Sequence, residues 1–402
     1  MHPAEEIRGV KSALLKDKRI VLAVTGSIAA VETIRLAREL IRHGATVIPV
    51  MTPATTRIIH PDALWFATGK QPIVELTGET EHVSFCGRVE DPVDLLLIAP
   101  STANTISKIA LGIDDTAVTT FATTAIGSKR PIIIVPAMHL SMYDHDIVQE
   151  NVTRLKQKGI EFIDPFFKDN KAKLASNEEI IARVIKRIGP NQLYEKKVLI
   201  IGGSTEEAID DVRCLTNKSS GRTAVFLAQH AYFNGATVSL WYGQSNAVVP
   251  GFIQKTQFTS IVDVKQLITE TNLDSFDFII VCAALSDYIP EKQKGKIKSK
   301  IKEININTHA AEKILPLLRK HAPSSKIIGF KLDETKKEAI TKAQQLLSEI
   351  PLDAVVANTI TSIGSTEHTV WIVDRSDKIT DFTGSKDKVA KNILSYAATV
   401  MS

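Results

Sequence analysis

Residues 19–52 read RIVLAVTGSIAAVETIRLARELIRHGATVIPVMT. A β-branched apolar run closes at Thr25-Gly26-Ser27, and Val31, Ile34, Ala37, Leu40 and Ile41 then recur at helical spacing, which predicts one buried helix face. His43-Gly44 stops that helix, and Ala-Thr-Val-Ile-Pro-Val opens a second strand. Strand, Gly-containing turn, helix and strand within ~30 residues make a βαβ unit.

The same grammar returns downstream. KKVLIIGGST (Lys196 to Thr205) predicts a strand ending at glycines, TAVFLAQHAYF a helix, and NGATVSLWYG (Asn234 to Gly243) a second strand. Gly-Ala-Thr-Val stands at 44–47 and again at 235–238. Each half also carries a later apolar strand running into a polar loop, DLLLIAPST (Asp94 to Thr102) and DFIIVCAALSD (Asp277 to Asp287). Continuous apolar strands separated by helices predict parallel sheets covered on both faces. The expected fold class is therefore α/β, with two doubly wound, mainly parallel-sheet domains, 1–190 and 191–402. Gly189-Pro190 ends a helix at the boundary.

Composition agrees with two such units. At ~150 residues per domain, 402 residues allow two or three. A chain that is 44% hydrophobic and 23% charged is globular, which excludes a disordered or fibrous protein. Three scattered cysteines exclude a disulfide scaffold and point to a reducing compartment. A net charge of +4 without a basic tail gives no case for nucleic acid. The N-terminal residues show no signal-peptide core, and no apolar run reaches the ~20 residues of a membrane span. A soluble, cytoplasmic protein is expected.

Ligands of open α/β sheets sit beyond the carboxyl ends of the strands. Gly26 and Ser27 open a helix and offer a phosphate site, with Thr52 after the next strand; a plain helix cap by Ser27 is the alternative. Ser101, Thr102 and Asn104 crowd another helix start, where capping needs only one of them. Ala137, Met138 and His139 end a further strand, and His82 is available as a base near neutral pH.

TGSIAA, APSTANTISKIALGIDD and PAMHLSMY resemble the flavin-dependent decarboxylases that act on C-terminal or pantothenoyl cysteine. The resemblance spans roughly residues 18–188. It implies a flavodoxin-like domain binding FMN at a trimer interface. By it, Gly26, Ser27 and Thr52 hold the FMN phosphate, Ser101, Thr102 and Asn104 lie along the flavin, and Ala137 and Met138 adjoin the substrate. His82 matches the family's catalytic histidine. His139 stands where most members have an asparagine that positions the substrate carboxylate. The flap stretch DPFFKDNKAKLAS lacks the cysteine many members use as proton donor, leaving Lys171, Lys173 or another group for that step.

In the second half, Asn217-Lys218-Ser219-Ser220-Gly221-Arg222 precedes a helix and offers an anion site, a capped loop with solvated cations being the alternative. Lysines occupy 292, 294, 296, 298, 300 and 302; if extended, they share one face, with Ile297 and Ile301 on the other. That ladder reads either as edge protection or as a ligand arm for a polyphosphate. STEEAIDDVRCLTNKSSG, AALSDYIP, KIKSK, GFKLDE and VVANTI resemble phosphopantothenate–cysteine ligase, which implies a Rossmann-like domain using a nucleoside triphosphate, usually CTP, with Mg²⁺. By this resemblance Asn217 engages the acyl intermediate, Asp287 binds nucleotide and Lys296 is needed for the chemistry. Phe330 lies by the base, and Ser219, Ser220, Gly221, Ala283, Ala284, Lys298, Asn358 and Lys386 line the pocket; the residues of a metal site are not indicated. Together the resemblances imply two consecutive steps of coenzyme A biosynthesis in a homo-oligomer, trimeric through the first half and dimeric through the second. The alternatives are a flavin-associated decarboxylase or prenyltransferase joined to an unrelated nucleotide-binding domain, and a flavin-binding regulatory protein.

Overall fold

The structure, a computed structural model, describes residues 1–298, 303–362 and 364–400. The chain divides into two compact units, Met1–Pro190 and Asn191–Ser402.

In the first unit, β1 (Arg19–Val24), β2 (Thr46–Met51), β3 (Leu95–Ser101), β4 (Ile132–Pro136) and β6 (Glu161–Phe162) form one sheet in the order β2-β1-β3-β4-β6. Every pairing in it is parallel. Ile20 to Val24 and Leu95 to Ala99 are fully buried, as strands covered by helices on both faces must be. β5 (Met138–His139), β7 (Phe166–Lys168) and β8 (Lys171–Lys173) make a separate antiparallel sheet in which His139 lies opposite Lys171. Asp169 and Asn170, both at φ 54, form the tight turn between β7 and β8.

The helix after β1 differs from its predicted phase. Its buried residues are Thr33, Leu36, Ala37, Leu40 and Ile41, while Val31 is 46% exposed. Residues Ile28–Glu32 form a 3₁₀ turn before the α-helix Thr33–Arg42 begins. Three residues per turn there rotate Val31 off the stripe that the α-helical period would give it.

In the second unit, β9 (Lys197–Gly202), β12 (Thr237–Tyr242), β13 (Gln254–Gln257), β14 (Phe278–Val281), β17 (Lys326–Asp333), β18 (Ala354–Thr359), β19 (Glu367–Asp374) and β20 (Ile379–Ser385) form one sheet. Its order is β13-β12-β9-β14-β17-β18-β19-β20, parallel from β13 to β18, with β19 and β20 added antiparallel. β10 (Glu206–Ala208) with β11 (Cys214–Thr216), and β15 (Tyr288–Pro290) with β16 (Thr308–Ala310), are short antiparallel ribbons outside it. Chain direction across each sheet reverses beside its first strand, between β1 and β3 and between β9 and β14. Both units are thus doubly wound, the first with flavodoxin-like and the second with Rossmann-like strand order.

The lysine-rich segment is not an extended ladder over its described part. It turns at Gly295 (φ 77), whose N–H donates to Asp211 at 2.9 Å, and the buried Ile297 donates its N–H to Asp210 at 3.0 Å. Two carboxylates from the 209–213 turn thus capture the backbone, and capture bends it. Lys292 pairs with Asp211 at 3.0 Å, while Lys294, Lys296 and Lys298 are exposed. Lys300, Ile301 and Lys302 lie outside the described residues. Among the described residues no helix is long and apolar enough to cross a membrane.

Candidate active sites

At the carboxyl edge of the first sheet one buried hydroxyl joins two loops. Thr25 Oγ1 donates to the Pro100 carbonyl at 2.9 Å and accepts from the Thr102 N–H at 3.1 Å. Gly26 passes so close to the loop after β2 that an added Cβ would stand 2.7 Å from that of Ala54. Ser27 caps the 3₁₀ turn through a 3.4 Å contact with the Ala29 N–H. Thr52 is buried there and shares a 2.8 Å hydrogen bond with Thr55. The Ala137 N–H donates to the Ser101 carbonyl at 3.0 Å, which brings the end of β4 to the same edge. Gly26, Ser27, Thr52, Ser101, Thr102 and Ala137 therefore meet at one edge of the sheet, with half-buried Met138 next in the chain.

The three polar residues after β3 divide their work. Thr102 caps the helix Ala103–Leu111, accepting from the Thr105 N–H at 3.3 Å. Ser101 is fully buried and its hydroxyl has no partner. Asn104 is exposed on the first helical turn. A buried hydroxyl without a partner costs about 1–3 kcal/mol, a cost that a polar ligand reaching Ser101 would offset. An orphaned hydroxyl and a close-packed glycine turn at a sheet switch point fit a flavin mononucleotide.

His82 and His139 stand apart from these bonds. His82 lies on the short helix Glu81–Cys86; it is half-buried, and its Nδ1 is buried without a partner. It makes no hydrogen bond to the other candidates. His139 is exposed, 3.0 Å from the Ser141 hydroxyl. Cys86 packs in the core, and burial pushes its thiol up to about 12, so it is inert.

The second unit holds a cavity of about 510 Å³ at its β9/β14 switch point. Ser219, Ser220, Gly221, Ala283, Ala284, Phe330, Asn358 and Lys386 line it. Gly221 has φ 68 and begins the helix Arg222–Phe233; an added Cβ would stand 2.2 Å from the Tyr242 hydroxyl. Only glycine satisfies both demands. Asn217 is exposed and donates to the Ala284 and Leu285 carbonyls at 3.3 and 3.0 Å, buttressing the cavity wall without lining it. Asp287, ion-paired with Lys313, is outside the lining, as are Lys296 and Lys298.

Sequence reasoning missed His368, a member of the lining. Lys218 and Arg222, from the anticipated anion-site segment, face the cavity with it, and no carboxylate does among the described residues. Burial, and then the charge of Arg222, lowers the pKa of Lys386; burial, and then Lys386, lowers that of His368. The site is thus a partly desolvated concentration of positive charge, which a polyanion would neutralise. Lys218 and Arg222 are legible as cations flanking a Ser-Ser-Gly turn. His368 carries no local signal; the antiparallel addition of β19 brings it in. Asp210 was also missed. Burial works against its charge, but N–H groups of Ile297, Val212 and Arg213, then the Arg213 side chain, hold its carboxyl well below the usual carboxylate range.

Comparison with known proteins covers both units. The Flavoprotein family matches residues 9–189, and the DNA/pantothenate metabolism flavoprotein C-terminal domain family matches 193–401. The Coenzyme A biosynthesis bifunctional protein CoaBC of Thermococcus kodakarensis is 44% identical, over 93% of this chain and 93% of that one. Its counterpart in Methanocaldococcus jannaschii is 38% identical over 98% of this chain and 96% of its own. A solved C-terminal domain of a CoaBC protein aligns with 52% of this chain and 98% of its own at 26% identity, with a TM-score of 0.44. Matched end to end by full-length relatives and in each half by a domain family, the chain belongs to the CoaBC family of bifunctional coenzyme A biosynthesis proteins.

Proposed function

We propose that the second unit joins 4′-phosphopantothenate to cysteine with CTP, and that the first unit decarboxylates the product to 4′-phosphopantetheine with FMN. The observation that carries the ligase half is the cavity at the β9/β14 switch point, lined by Lys218, Arg222 and Lys386 and, among the described residues, by no carboxylate. Full-length relatives named for coenzyme A biosynthesis support the pairing of the two steps.

A carboxylate resists attack by an amine until one oxygen carries a good leaving group. In the ligase reaction the phosphopantothenate carboxylate attacks the α-phosphorus of CTP and pyrophosphate leaves. The cysteine amine then attacks the acyl carbon and CMP leaves. Lys218, Arg222 and Lys386 hold the phosphates and stabilise charge developing on pyrophosphate. Ser219, Ser220 and Gly221 offer hydroxyls and N–H groups at a helix N-terminus. Phe330 packs the base, Asn358 adds a polar wall, and Ala283 and Ala284 let the nucleotide approach the backbone. Asn217 steadies that wall and engages the acyl intermediate. Lys296 and Lys298, on the turn that Asp210 anchors, reach in when the triphosphate is bound, and Asp287 exchanges its Lys313 partner for nucleotide. Mg²⁺ enters with the triphosphate; among the described residues no cluster of three His, Cys, Asp or Glu side chains waits for a metal.

In the first unit FMN, when bound, supplies a reversible two-electron acceptor for the cysteinyl side chain. Gly26, Ser27 and Thr52 hold its phosphate, and Ser101, Thr102 and Asn104 lie along its ring, with the Ser101 hydroxyl gaining a partner. Ala137 and Met138 shape the substrate side. His82 takes the substrate thiol proton, and His139 hydrogen-bonds the carboxylate before it leaves. Lys171, which lies opposite His139 across the β5–β8 pair, or Lys173 returns a proton. The chain works as a homo-oligomer in this reading, with trimeric contacts through this unit and dimeric contacts through the other.

The test supplies 4′-phosphopantothenate, cysteine and each nucleoside triphosphate in turn. Pyrophosphate release that requires 4′-phosphopantothenate and is greatest with CTP supports the reading; none with any nucleotide sinks it.

A further inference from the structure

The cation-lined cavity has one lining group that phosphate binding leaves without a task. His368 lies near the start of β19, two residues before Val370, so the two side chains share a sheet face, and both line the cavity. Its cross-strand partner is Gly384, which has no side chain to cover the ring. The ring's Nδ1 is buried with no hydrogen-bond partner. Phe330, an aromatic face suited to a flat heterocycle, lines the same cavity.

The ring is a poor phosphate ligand. Burial, and then the neighbouring Lys386 charge, lower its pKa and so favour the uncharged ring, whereas Lys218, Arg222 and Lys386 already serve the polyanion. A neutral imidazole offers one donor and one acceptor. With nothing bonded to Nδ1, no internal hydrogen bond fixes the tautomer, so Nε2 is free to donate or accept as its ligand requires. That chemistry suits an uncharged polar group.

We propose that His368 hydrogen-bonds an uncharged group of the nucleoside, on its base or its ribose, and so selects a nucleotide over a bare polyphosphate in this cavity. The inference rests on the nucleotide-binding reading of the second unit.

Calorimetric titration of the full chain with MgCl₂ present and CTP, 2′-deoxy-CTP, CMP or inorganic tripolyphosphate as probe tests it. Two variants remove the contact, His368→Ala and His368→Phe, the latter keeping a ring. Both are expected to weaken CTP and CMP about tenfold, the scale of one lost hydrogen bond, and to leave tripolyphosphate affinity unchanged. His368→Asn, which keeps a side-chain donor and acceptor, is expected to recover most of the loss. If the wild type binds 2′-deoxy-CTP as weakly as the variants bind CTP, the contact is to the ribose; if it binds both alike and the variants weaken both, the contact is to the base. Variants that bind CTP like the wild type, or that lose tripolyphosphate as heavily as CTP, overturn the proposal while leaving the ligase reading intact. A wild type that binds no nucleotide overturns both.

Discussion

The Thr102 N–H donates to the Thr25 hydroxyl, which donates in turn to the Pro100 carbonyl, so one threonine pins together the two loops that flank the first sheet's switch point. Thr205 and Ser286 repeat the arrangement in the second unit: the Ser286 N–H donates to Thr205 Oγ1 at 2.9 Å, and the two hydroxyls lie 2.8 Å apart. In each unit a threonine one or a few residues past the first strand thus ties two loops together at the carboxyl edge of the sheet.

Replacing Thr25 with valine keeps the volume and removes both bonds. The half-buried Thr102 N–H then loses its partner, a cost of about 1 kcal/mol. Thermal unfolding should move down accordingly, and the purified variant should carry less flavin than the wild type. Full flavin content at unchanged stability would show that the crevice does not depend on this tie.

Gly221→Ala attacks the other crevice. The left-handed backbone alone costs about 1–2 kcal/mol for a residue with a Cβ, and the Tyr242 hydroxyl occupies the space that atom needs. Nucleotide-dependent pyrophosphate release should fall at least tenfold, while flavin content and decarboxylation of supplied 4′-phosphopantothenoylcysteine should stay within twofold of wild type.

How far these crevices were legible from sequence depends on what sets each residue's place. Gly26, Ser219 and Gly221 sit at strand ends followed by helices, and local pattern finds such positions. Division of labour within a cluster is not local: only packing tells that Thr102 caps its helix while Ser101 is orphaned. His368 was invisible because an antiparallel strand far along the chain delivers it. The lysine alternation misled because periodicity cannot register Asp210 and Asp211, whose carboxylates bend the segment from outside it.

Asp210 supplies a pH-dependent prediction. Its folded pKa lies below the unfolded value, so its contribution is present above that value and is lost as pH falls through the folded one. Wild-type anchoring of the Lys296 turn should thus persist at neutral and mildly acidic pH and fail only in strong acid. Asp210→Asn should lose it at neutral pH, seen as faster proteolysis within 291–298 and at least a tenfold fall in ligation. Equal protease resistance of variant and wild type at pH 7 would contradict this.

Two substitutions should separate the activities. Lys296→Gln is expected to stall ligation with acyl-cytidylate accumulating, detectable by mass spectrometry after acid quench, and to leave flavin content unchanged. His82→Asn is expected to ligate normally and release no CO₂. Should both variants keep full activity, the roles given to these side chains are wrong.

The most direct measurement follows one incubation of the full chain with 4′-phosphopantothenate, cysteine and CTP, counting pyrophosphate, CO₂ and 4′-phosphopantetheine together. Two consecutive activities in one chain predict that the three rise in equal amounts, and that omitting CTP abolishes all of them. CO₂ and 4′-phosphopantetheine formed without CTP, or pyrophosphate absent while both units are folded and flavin is bound, would contradict the account.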